Sequence, residues 1–226
     1  MSVPLALFDS TFHAALRRWG LPITPTQAGR LGVHFEAVVE TNRTINLTRI
    51  TDPVEAAVKH YADSLALLLW SRDRSIAVRT VLDVGTGAGF PALPLAVMSP
   101  ERVVTAIDST RKKVEFLART ATALGIDNLR VEHAHTAHWK TEQKFDVVAA
   151  RALGPLARCL ESSSGFVTVG GFLVVYKTGW LTLGELVDAE NMLKKTRMRK
   201  EEPFGYDLQL DRQTLPRALH VFRRVR

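Results

Sequence analysis

The sequence predicts a doubly wound α/β fold, in which a mostly parallel sheet with an antiparallel edge pair follows a helical amino-terminal extension. From residue 80 onward, short apolar runs alternate with helical patterns, as they do in βαβ units. The runs VLDVG and FDVVAA are almost continuously apolar, which is typical of strands covered by helices on both faces. Residues 1–75 carry helical patterns only. We therefore predict the extension over 1–75 and a Rossmann-like domain over 76–226.

Three helices are predicted in the extension. Apolar periodicity indicates helices at about 8–19 and 26–39. A third begins at DPVE, where Asp52 suits the N-cap, Pro53 the first helical position and Glu55 the returning bond of a capping box. Its pattern predicts one continuous helix from 53 to 70.

Strands and helices alternate through the second part of the chain. Its last two runs, YDLQLDR and RALHVFRR, alternate polar and apolar residues across a short connection, which predicts the antiparallel pair. Before that pair, the predicted strands are 80–85, 102–108, 129–134, 144–150 and 171–177, and the predicted helices are 91–98, 110–124, 154–163 and 182–195.

Composition narrows the class of protein. The 226 residues are 46% hydrophobic, enough to bury a full core. The longest apolar run, 65–70, is far short of the roughly 20 residues of a membrane-spanning helix, so we expect a cytoplasmic protein with no membrane partner. The one cysteine, Cys159, excludes an internal disulfide and a cysteine-based metal cluster. The net charge of +7 is compatible with polyanionic partners such as nucleic acid and equally with an enzyme that binds nothing larger than a nucleotide.

A glycine-rich loop follows the first predicted strand, at the position where open α/β sheets bind ligands. Gly85, Gly87 and Gly89 are spaced G-x-G-x-G, whereas dinucleotide sites read G-x-G-x-x-G. Asp83 would repel a pyrophosphate and suits a cationic ligand such as S-adenosylmethionine, with its amino and sulfonium groups. Asp108, at the end of the second strand, is placed to accept the ribose hydroxyls. A nicotinamide cofactor and a simple packing turn are the alternatives.

The segment after FDVVAA bears on which atom receives a methyl group. RALGPLARCL lacks the Asn/Asp-Pro-Pro-aromatic clamp typical of adenine amino methylation. Cys159 lies inside the following helix, where we expect a core residue rather than the nucleophile of pyrimidine C5 methylation. Guanine N7 has a free lone pair and needs only alignment with the sulfonium methyl. Arg151, at the strand end, is a candidate either for orienting the acceptor or for binding the cofactor.

Four ordered segments resemble the signature segments of the bacterial small-subunit ribosomal RNA guanine-N7 methyltransferases, a family also known as glucose-inhibited division protein B. They are NLTRITDPVEAAVKHYADSLALL, VLDVGTGAGFPALPLA, DSTRKKVEFL and FDVVAARALGPL, and the likeness covers about residues 40–180. The resemblance implies a class I S-adenosylmethionine-dependent methyltransferase fold. It also implies a monomer that methylates N7 of a guanine near the decoding centre of 16S ribosomal RNA, in free RNA or in the small ribosomal subunit.

The resemblance further implies which residues contact the cofactor. By matching position these are Gly85, Phe90, Thr136, Ala137 and Arg151. Thr136 and Ala137 replace the family's usual Ala-Glu, so only their main-chain groups are left to meet the adenine and a carboxylate contact is lost. The charge, spacing and ribose arguments add Asp83, Gly87 and Asp108.

Further polar residues are candidates for the substrate side. We hypothesise that Asn46 and His60 hold the RNA acceptor. The helical spacing of Lys59, His60 and Asp63 equally fits an exposed ion pair with a solvated histidine. The basic residues predicted to contact RNA, or else to form a solvated face, are Lys59, Arg111, Lys112, Lys113 and Lys177, together with the run LKKTRMRK at 193–200.

Alternatives to this function are also open. His133, His135 and His138 lie close together in HAHTAHW, but methyl transfer to N7 needs no metal and none is predicted. The same fold carries many chemistries, so a small-molecule or protein methyltransferase is one alternative. A non-catalytic ribosome assembly factor that kept the fold is the other.

Overall fold

A computed structural model of the protein describes residues 2–179 and 181–226. The helices are α1 (Val3–Arg18), α2 (Pro25–Thr41), α3 (Pro53–Ala56), α4 (Ala66–Asp73), α5 (Ala92–Met98), α6 (Arg111–Ala123), α7 (Leu156–Ser163) and α8 (Leu183–Thr196). The strands are β1 (Thr80–Val84), β2 (Val103–Asp108), β3 (Leu129–His133), β4 (Phe145–Arg151), β5 (Val167–Lys177), β6 (Met198–Lys200), β7 (Phe204–Leu210) and β8 (Gln213–Arg224).

The sheet confirms the predicted fold class. Its order is β3-β2-β1-β4-β5-β8-β6, with β7 also paired to β8. Strands β1 to β5 run parallel, and β8 runs antiparallel to β5, β6 and β7. The carboxyl ends of β1, β2 and β4 therefore meet at one edge of the sheet, where the doubly wound order reverses.

Three details differ from the sequence prediction. β7 and β8 pair as expected, but β8 is not an edge strand, because its second half also pairs with β5 from Phe172 to Lys177. β6 was not predicted at all and lies within the run LKKTRMRK. β5 begins at Val167 rather than at 171; Gly170, with a φ of 84°, lies where its pairing register with β4 shifts, as at a β-bulge.

The predicted continuous helix over 53–70 is wrong in its interior. It comprises α3, a π-helical stretch over Ala57–Ala62, a break near Leu65, and α4. Side chains compete here for main-chain carbonyls: the Ser64 hydroxyl donates to the His60 carbonyl at 2.6 Å, and Arg151 donates to the Lys59 and His60 carbonyls. A side chain of the segment itself and a guanidinium from β4 thus bond to its main-chain carbonyls, and π-helical turns of this kind frequently mark functional sites.

The amino-terminal helices share a core with the sheet. Phe8 stacks on Phe35 with ring centroids 4.7 Å apart and meets the edge of Tyr61 at the same distance. One buried cluster joins these rings to Val81 of β1 and Leu93 of α5. The extension is therefore packed against the loop after β1, while its division from the rest of the chain at residue 75 stays a prediction. Over the described residues, no helix is long and apolar enough to cross a membrane.

Candidate active site

The glycine loop leaves β1 at the sheet edge where β2 also ends. Gly85, Gly87 and Gly89 have φ values of 73°, 59° and 106°, a region that residues with a Cβ rarely adopt. The Gly85 and Thr86 amides donate to the Ile107 carbonyl at 2.9 and 3.0 Å, which fixes the loop against β2. A Cβ placed on Gly87 would meet no atom within 4 Å. The main chain at Gly87 therefore faces open space that a ligand can approach closely.

Asp108 links the end of β2 to this loop. Its Oδ2 accepts a hydrogen bond from the Gly87 amide at 2.9 Å, and its Oδ1 accepts one from the Thr110 amide at 2.8 Å. Each carboxylate oxygen has a second lone-pair direction, so both bonds are compatible with further donors such as ribose hydroxyls. The side chain is consequently fixed in orientation before any ligand binds.

A cavity of about 610 Å³ opens beside the loop. It is within the range of roughly 300–1,000 Å³ typical of small-molecule sites. Its lining includes the predicted cofactor residues Gly85, Asp108, Thr136 and Ala137. Lys113, predicted on the RNA side, also lines this cavity. The structure therefore brings together residues from the ends of three neighbouring strands, and their contact with a cofactor stays a prediction.

Asp83 lies behind the cavity rather than on its wall. It is fully buried, and its Oδ2 accepts a hydrogen bond from the Ala92 amide at the start of α5 at 3.1 Å. Its Oδ1 is buried without a hydrogen-bond partner among the described residues. Burial raises the pKa of Asp83 to about 7. The Thr86 hydroxyl and the Ala92 amide lower this pKa and partly oppose the effect of burial, and a cationic ligand would stabilise the ionised form further.

Arg151, at the end of β4, is held by the π-helical segment. Its guanidinium pairs with Asp63, with 3.0 Å between Nη2 and Oδ2, and also donates to the Lys59 and His60 carbonyls. Tyr206 donates to the other Asp63 oxygen at 2.7 Å. Asp63 is only 5% exposed. The alternative of an exposed ion pair is thus wrong for Asp63, because its partner comes from β4 and not from its own helix.

His60 is mostly buried between the loop and Arg151. Its ring stacks on Phe90 with centroids 4.6 Å apart and planes 16° from parallel. Nδ1 faces the Arg151 guanidinium at 3.4 Å and so accepts, which leaves Nε2 to donate to the Thr48 hydroxyl at 2.7 Å. Burial, followed by the Arg151 charge, lowers the pKa of His60 to about 3. His60 is therefore neutral. Phe90, which was predicted to contact the cofactor, packs against His60 beneath the loop and does not line the cavity.

A second cavity, of about 530 Å³, adjoins the first. Leu153 lines both, so it lies on the wall between them. The second cavity is rich in cationic side chains: Lys59, Arg151, Lys177 and Arg217 line it, with Asp63. Lys177 donates to the Gly154 carbonyl at 3.1 Å and pairs with Glu185 at 2.8 Å. Sequence reasoning missed Arg217, although it lies in RALHVFRR, because strand alternation alone does not indicate which cavity a side chain meets.

Other predicted residues lie elsewhere. Asn46 is exposed and lines neither cavity, whereas Asn42 accepts hydrogen bonds from the Leu47 and Thr48 amides at 2.8 and 2.9 Å. Arg111 and Lys112 are exposed at the start of α6. Cys159 is buried, as expected of a core residue, and it also lies in the wall of the second cavity. Among the residues with described positions, no group of three or more His, Cys, Asp or Glu side chains is arranged to hold a metal ion.

The sheet order and the loop-side cavity are those of the class I methyltransferase fold. The fold is shared with an S-adenosylmethionine-dependent methyltransferase from Clostridium acetobutylicum, at a TM-score of 0.59 and 10% identity over 86% of this chain and 100% of that one. It is also shared with N-methyltransferase NodS from Bradyrhizobium japonicum, solved with S-adenosyl-L-homocysteine, at a TM-score of 0.51 and 16% identity over 71% of this chain and 85% of that one.

The chain belongs to the GidB family, described as rRNA small subunit methyltransferase G, whose model matches residues 27–204. A curated relative named ribosomal RNA small subunit methyltransferase G, from an Exiguobacterium species, is 38% identical over 82% of this chain and 78% of its own length. Another of the same name, from Lachnoclostridium phytofermentans, is 32% identical over 88% and 83%. The predicted family, fold class and S-adenosylmethionine-dependent class of enzyme are confirmed.

Proposed function

We propose that this protein transfers a methyl group from S-adenosylmethionine to N7 of a guanine in 16S ribosomal RNA, near the decoding centre and in the cytoplasm. The observation that carries the proposal is the pair of cavities at one sheet edge, separated by Leu153. The first has the groups that suit a cationic nucleoside. The second is lined by cations that suit an RNA nucleotide.

The residues of the first cavity fit the cofactor. When bound, S-adenosylmethionine supplies a methyl group from a positively charged sulfur. Two residues beside the cavity wall add to this fit: the buried Asp83 carboxylate stabilises the ligand's cationic end by its charge, and the open face of Gly87 leaves room for close approach. Asp108, already oriented by the Gly87 and Thr110 amides, accepts the ribose hydroxyls. Main-chain groups of Thr136 and Ala137 meet the adenine.

The chemistry at the acceptor needs orientation rather than proton transfer. Guanine N7 already carries the lone pair that forms the new bond, so no general base is required. The chain must hold N7 in line with the methyl group, at roughly 3–3.5 Å from it. Arg151 is suited to this task because Asp63 and the partners of Nη1 and Nη2 fix its guanidinium at the cavity, where Nε–H, without a partner among the described residues, remains to donate to guanine O6. His60, neutral and stacked on Phe90, supports Arg151 from the other side.

Cations around the second cavity then bind the flanking phosphates. Lys59, Lys177 and Arg217 line it directly. Arg111 and Lys112, exposed at the start of α6, extend the positive surface along the same sheet edge. We assign Asn46, exposed in the segment before α3, to an outer contact with RNA. The enzyme acts as a monomer in this proposal.

The experiment is to incubate the protein with labelled S-adenosylmethionine and, separately, small ribosomal subunits, protein-free 16S ribosomal RNA, or guanosine triphosphate. We expect label in 16S ribosomal RNA, recovered as 7-methylguanosine at a single position. Arg151→Lys, which keeps the charge but loses the planar fork, should lower kcat at least tenfold. Arg43→Lys, an exposed pair with Glu40, is the matched control and should leave turnover unchanged.

The other outcomes distinguish the alternatives. Methylation of guanosine triphosphate or of protein, with RNA unlabelled, would identify a small-molecule or protein methyltransferase. Tight binding to the subunit without turnover would identify a non-catalytic assembly factor. Either result contradicts the proposal.

A further inference from the structure

His34 is a buried polar residue that the proposed reaction does not use. It lies on α2, in the amino-terminal extension, and is 0% exposed. Its Nε2 is 2.9 Å from the carbonyl oxygen of Ala88, and its Nδ1 is 2.7 Å from the hydroxyl oxygen of Tyr61. Ala88 lies in the glycine loop, 54 residues along the chain. A histidine of the extension therefore reaches the back of the predicted cofactor loop.

The partners of His34 fix its tautomer. A carbonyl can only accept, so Nε2 must carry the hydrogen and donate it to Ala88. In the neutral ring Nδ1 then accepts, and Tyr61 donates its hydroxyl hydrogen. Burial lowers the pKa of His34 to about 4, so the neutral ring persists through the physiological range. The chain Tyr61 to His34 to Ala88 is thus fully paired, as a buried polar network must be.

The position of this bond in the loop gives it a consequence for ligand binding. Ala88 lies between Gly87 and Gly89, both with positive φ; the Gly89 amide already donates to the Thr86 carbonyl at 2.9 Å, and the bond from His34 holds the Ala88 carbonyl in addition. The Gly87 amide, on the opposite side, is held by Asp108. Aromatic rings surround the histidine: Phe90 and Tyr61 lie 5.5 and 5.6 Å from it, centroid to centroid. The loop is therefore clamped between a carboxylate of β2 and a histidine of α2.

We propose that His34 is a positioning residue for the cofactor loop, so that the amino-terminal extension contributes to S-adenosylmethionine affinity through the hydrogen bond from His34 to Ala88. The bond orders the loop before the ligand arrives. Binding then does not have to order Gly87 and Gly89, an ordering that otherwise opposes association. The inference rests on the proposed assignment of this loop to the cofactor.

The test compares His34→Leu with His34→Gln. Leucine leaves the Ala88 carbonyl without its donor, whereas the glutamine amide can donate to Ala88 and accept from Tyr61. We expect His34→Leu to raise the Kd for S-adenosyl-L-homocysteine at least tenfold by calorimetry, and His34→Gln to recover most of that loss. Amide hydrogen exchange over 86–90, measured without ligand, should be faster in His34→Leu and near the wild-type rate in His34→Gln. Binding of 16S ribosomal RNA without cofactor should not change.

Leu16→Ala is the matched control, since it removes buried apolar contacts from α1 and no hydrogen bond to the loop. It should lower the Tm while leaving both Kd and loop exchange unchanged. Where His34→Leu does not fold, Tyr61→Phe removes only the bond to Nδ1 and should weaken binding less, in the same direction. Wild-type affinity and loop exchange in His34→Leu or Tyr61→Phe, or equal losses in Leu16→Ala, would overturn the inference. A wild-type protein that binds no ligand defeats the proposed function, while the exchange comparison still tests His34.

Discussion

Asp83 shows at the residue scale how burial and function are linked. Its carboxyl group is buried, has one oxygen without a partner among the described residues, and has a pKa raised to about 7. Near neutral pH the ligand-free protein is therefore a mixture of protonated and ionised forms. A cationic ligand favours the ionised form, so binding must release a proton wherever Asp83 was protonated. Affinity should consequently rise with pH and level off above about 7.

We expect the affinity for S-adenosylmethionine to fall roughly tenfold between pH 7.5 and pH 6, because each unit below the pKa costs about 1.4 kcal/mol in ionising the group. Calorimetry at pH 6.5 in buffers of different ionisation enthalpy should detect the released proton. In Asp83→Asn the release should vanish and the affinity should fall. Asp146→Asn is the control, since Asp146 accepts from the Arg79 and Thr80 amides at the other end of β1. Proton release that persists in Asp83→Asn would contradict the assignment.

Residues differ in how far the sequence predicts their roles. Asp83 is predicted because its negative charge precedes the glycine loop by two residues, and Asp108 because it ends the second strand, whose carboxyl end lies beside that loop. The roles of His34 and Arg217 are not evident from the sequence. His34 reads as part of the apolar face of α2, and only the packing of α2 on the loop reveals its bond to Ala88. Arg217 lies on β8, far along the chain from Asp63. Its Nε comes within 4.0 Å of the Asp63 Oδ1 because β8 pairs with β5 in the folded sheet.

At the element scale, a comparison of two glycines distinguishes the backbone strain of an alanine substitution from its effect on ligand binding. Gly87 and Gly125 have nearly equal φ values, 59° and 61°. Alanine in this left-handed region costs about 1–2 kcal/mol at either position. A Cβ at Gly87 projects into open space, whereas one at Gly125, at the end of α6, lies 3.6 Å from Arg30 and far along the chain from the loop.

Gly87→Ala and Gly125→Ala should therefore lower the Tm by similar amounts, because the backbone strain is the same. Only Gly87→Ala should weaken S-adenosyl-L-homocysteine binding, by at least tenfold, since its methyl group occupies space that the ligand needs. Thermal melts with and without ligand give both quantities in one measurement. Equal ligand-induced Tm shifts in the two variants would show that the Gly87 face does not meet the cofactor.

The sequence predicts helices and strands correctly where burial alone sets the apolar pattern. It fails where side-chain donors change the main-chain hydrogen bonding of an element. The apolar periodicity of 53–70 correctly indicates one buried face. It carries no information on the hydrogen-bond ladder, which Ser64 and Arg151 divert over Ala57–Ala62. Likewise the alternation in RALHVFRR predicts a strand but does not indicate which strands pair with it. β8 lies inside the sheet because it pairs with β5 on one side and with β6 and β7 on the other.

At the scale of the whole molecule, the net charge of +7 includes two exposed basic clusters that lie at opposite ends of the parallel strands. Arg111 and Lys112 begin α6, which follows the carboxyl end of β2 at the site. Lys194 and Lys195 end α8, just before β6. β6 pairs with the end of β8 at Arg224, and β8 runs antiparallel to β5, so this cluster lies toward the amino ends of the parallel strands. The two clusters are thus on opposite edges of the sheet.

This geometry predicts that only one cluster contacts substrate RNA. Replacing Arg111 and Lys112 together by glutamine should weaken binding to 16S ribosomal RNA and reduce the slope of log K against log salt by roughly 1.5, because each phosphate contact contributes about 0.7–0.9. The same double change at Lys194 and Lys195 removes equal charge at the far edge and should leave the slope within error of the wild type. Filter binding across a salt series measures both. Equal slopes for the two double variants would show that RNA binding depends on net charge and not on the position of Arg111 and Lys112 beside the candidate active site.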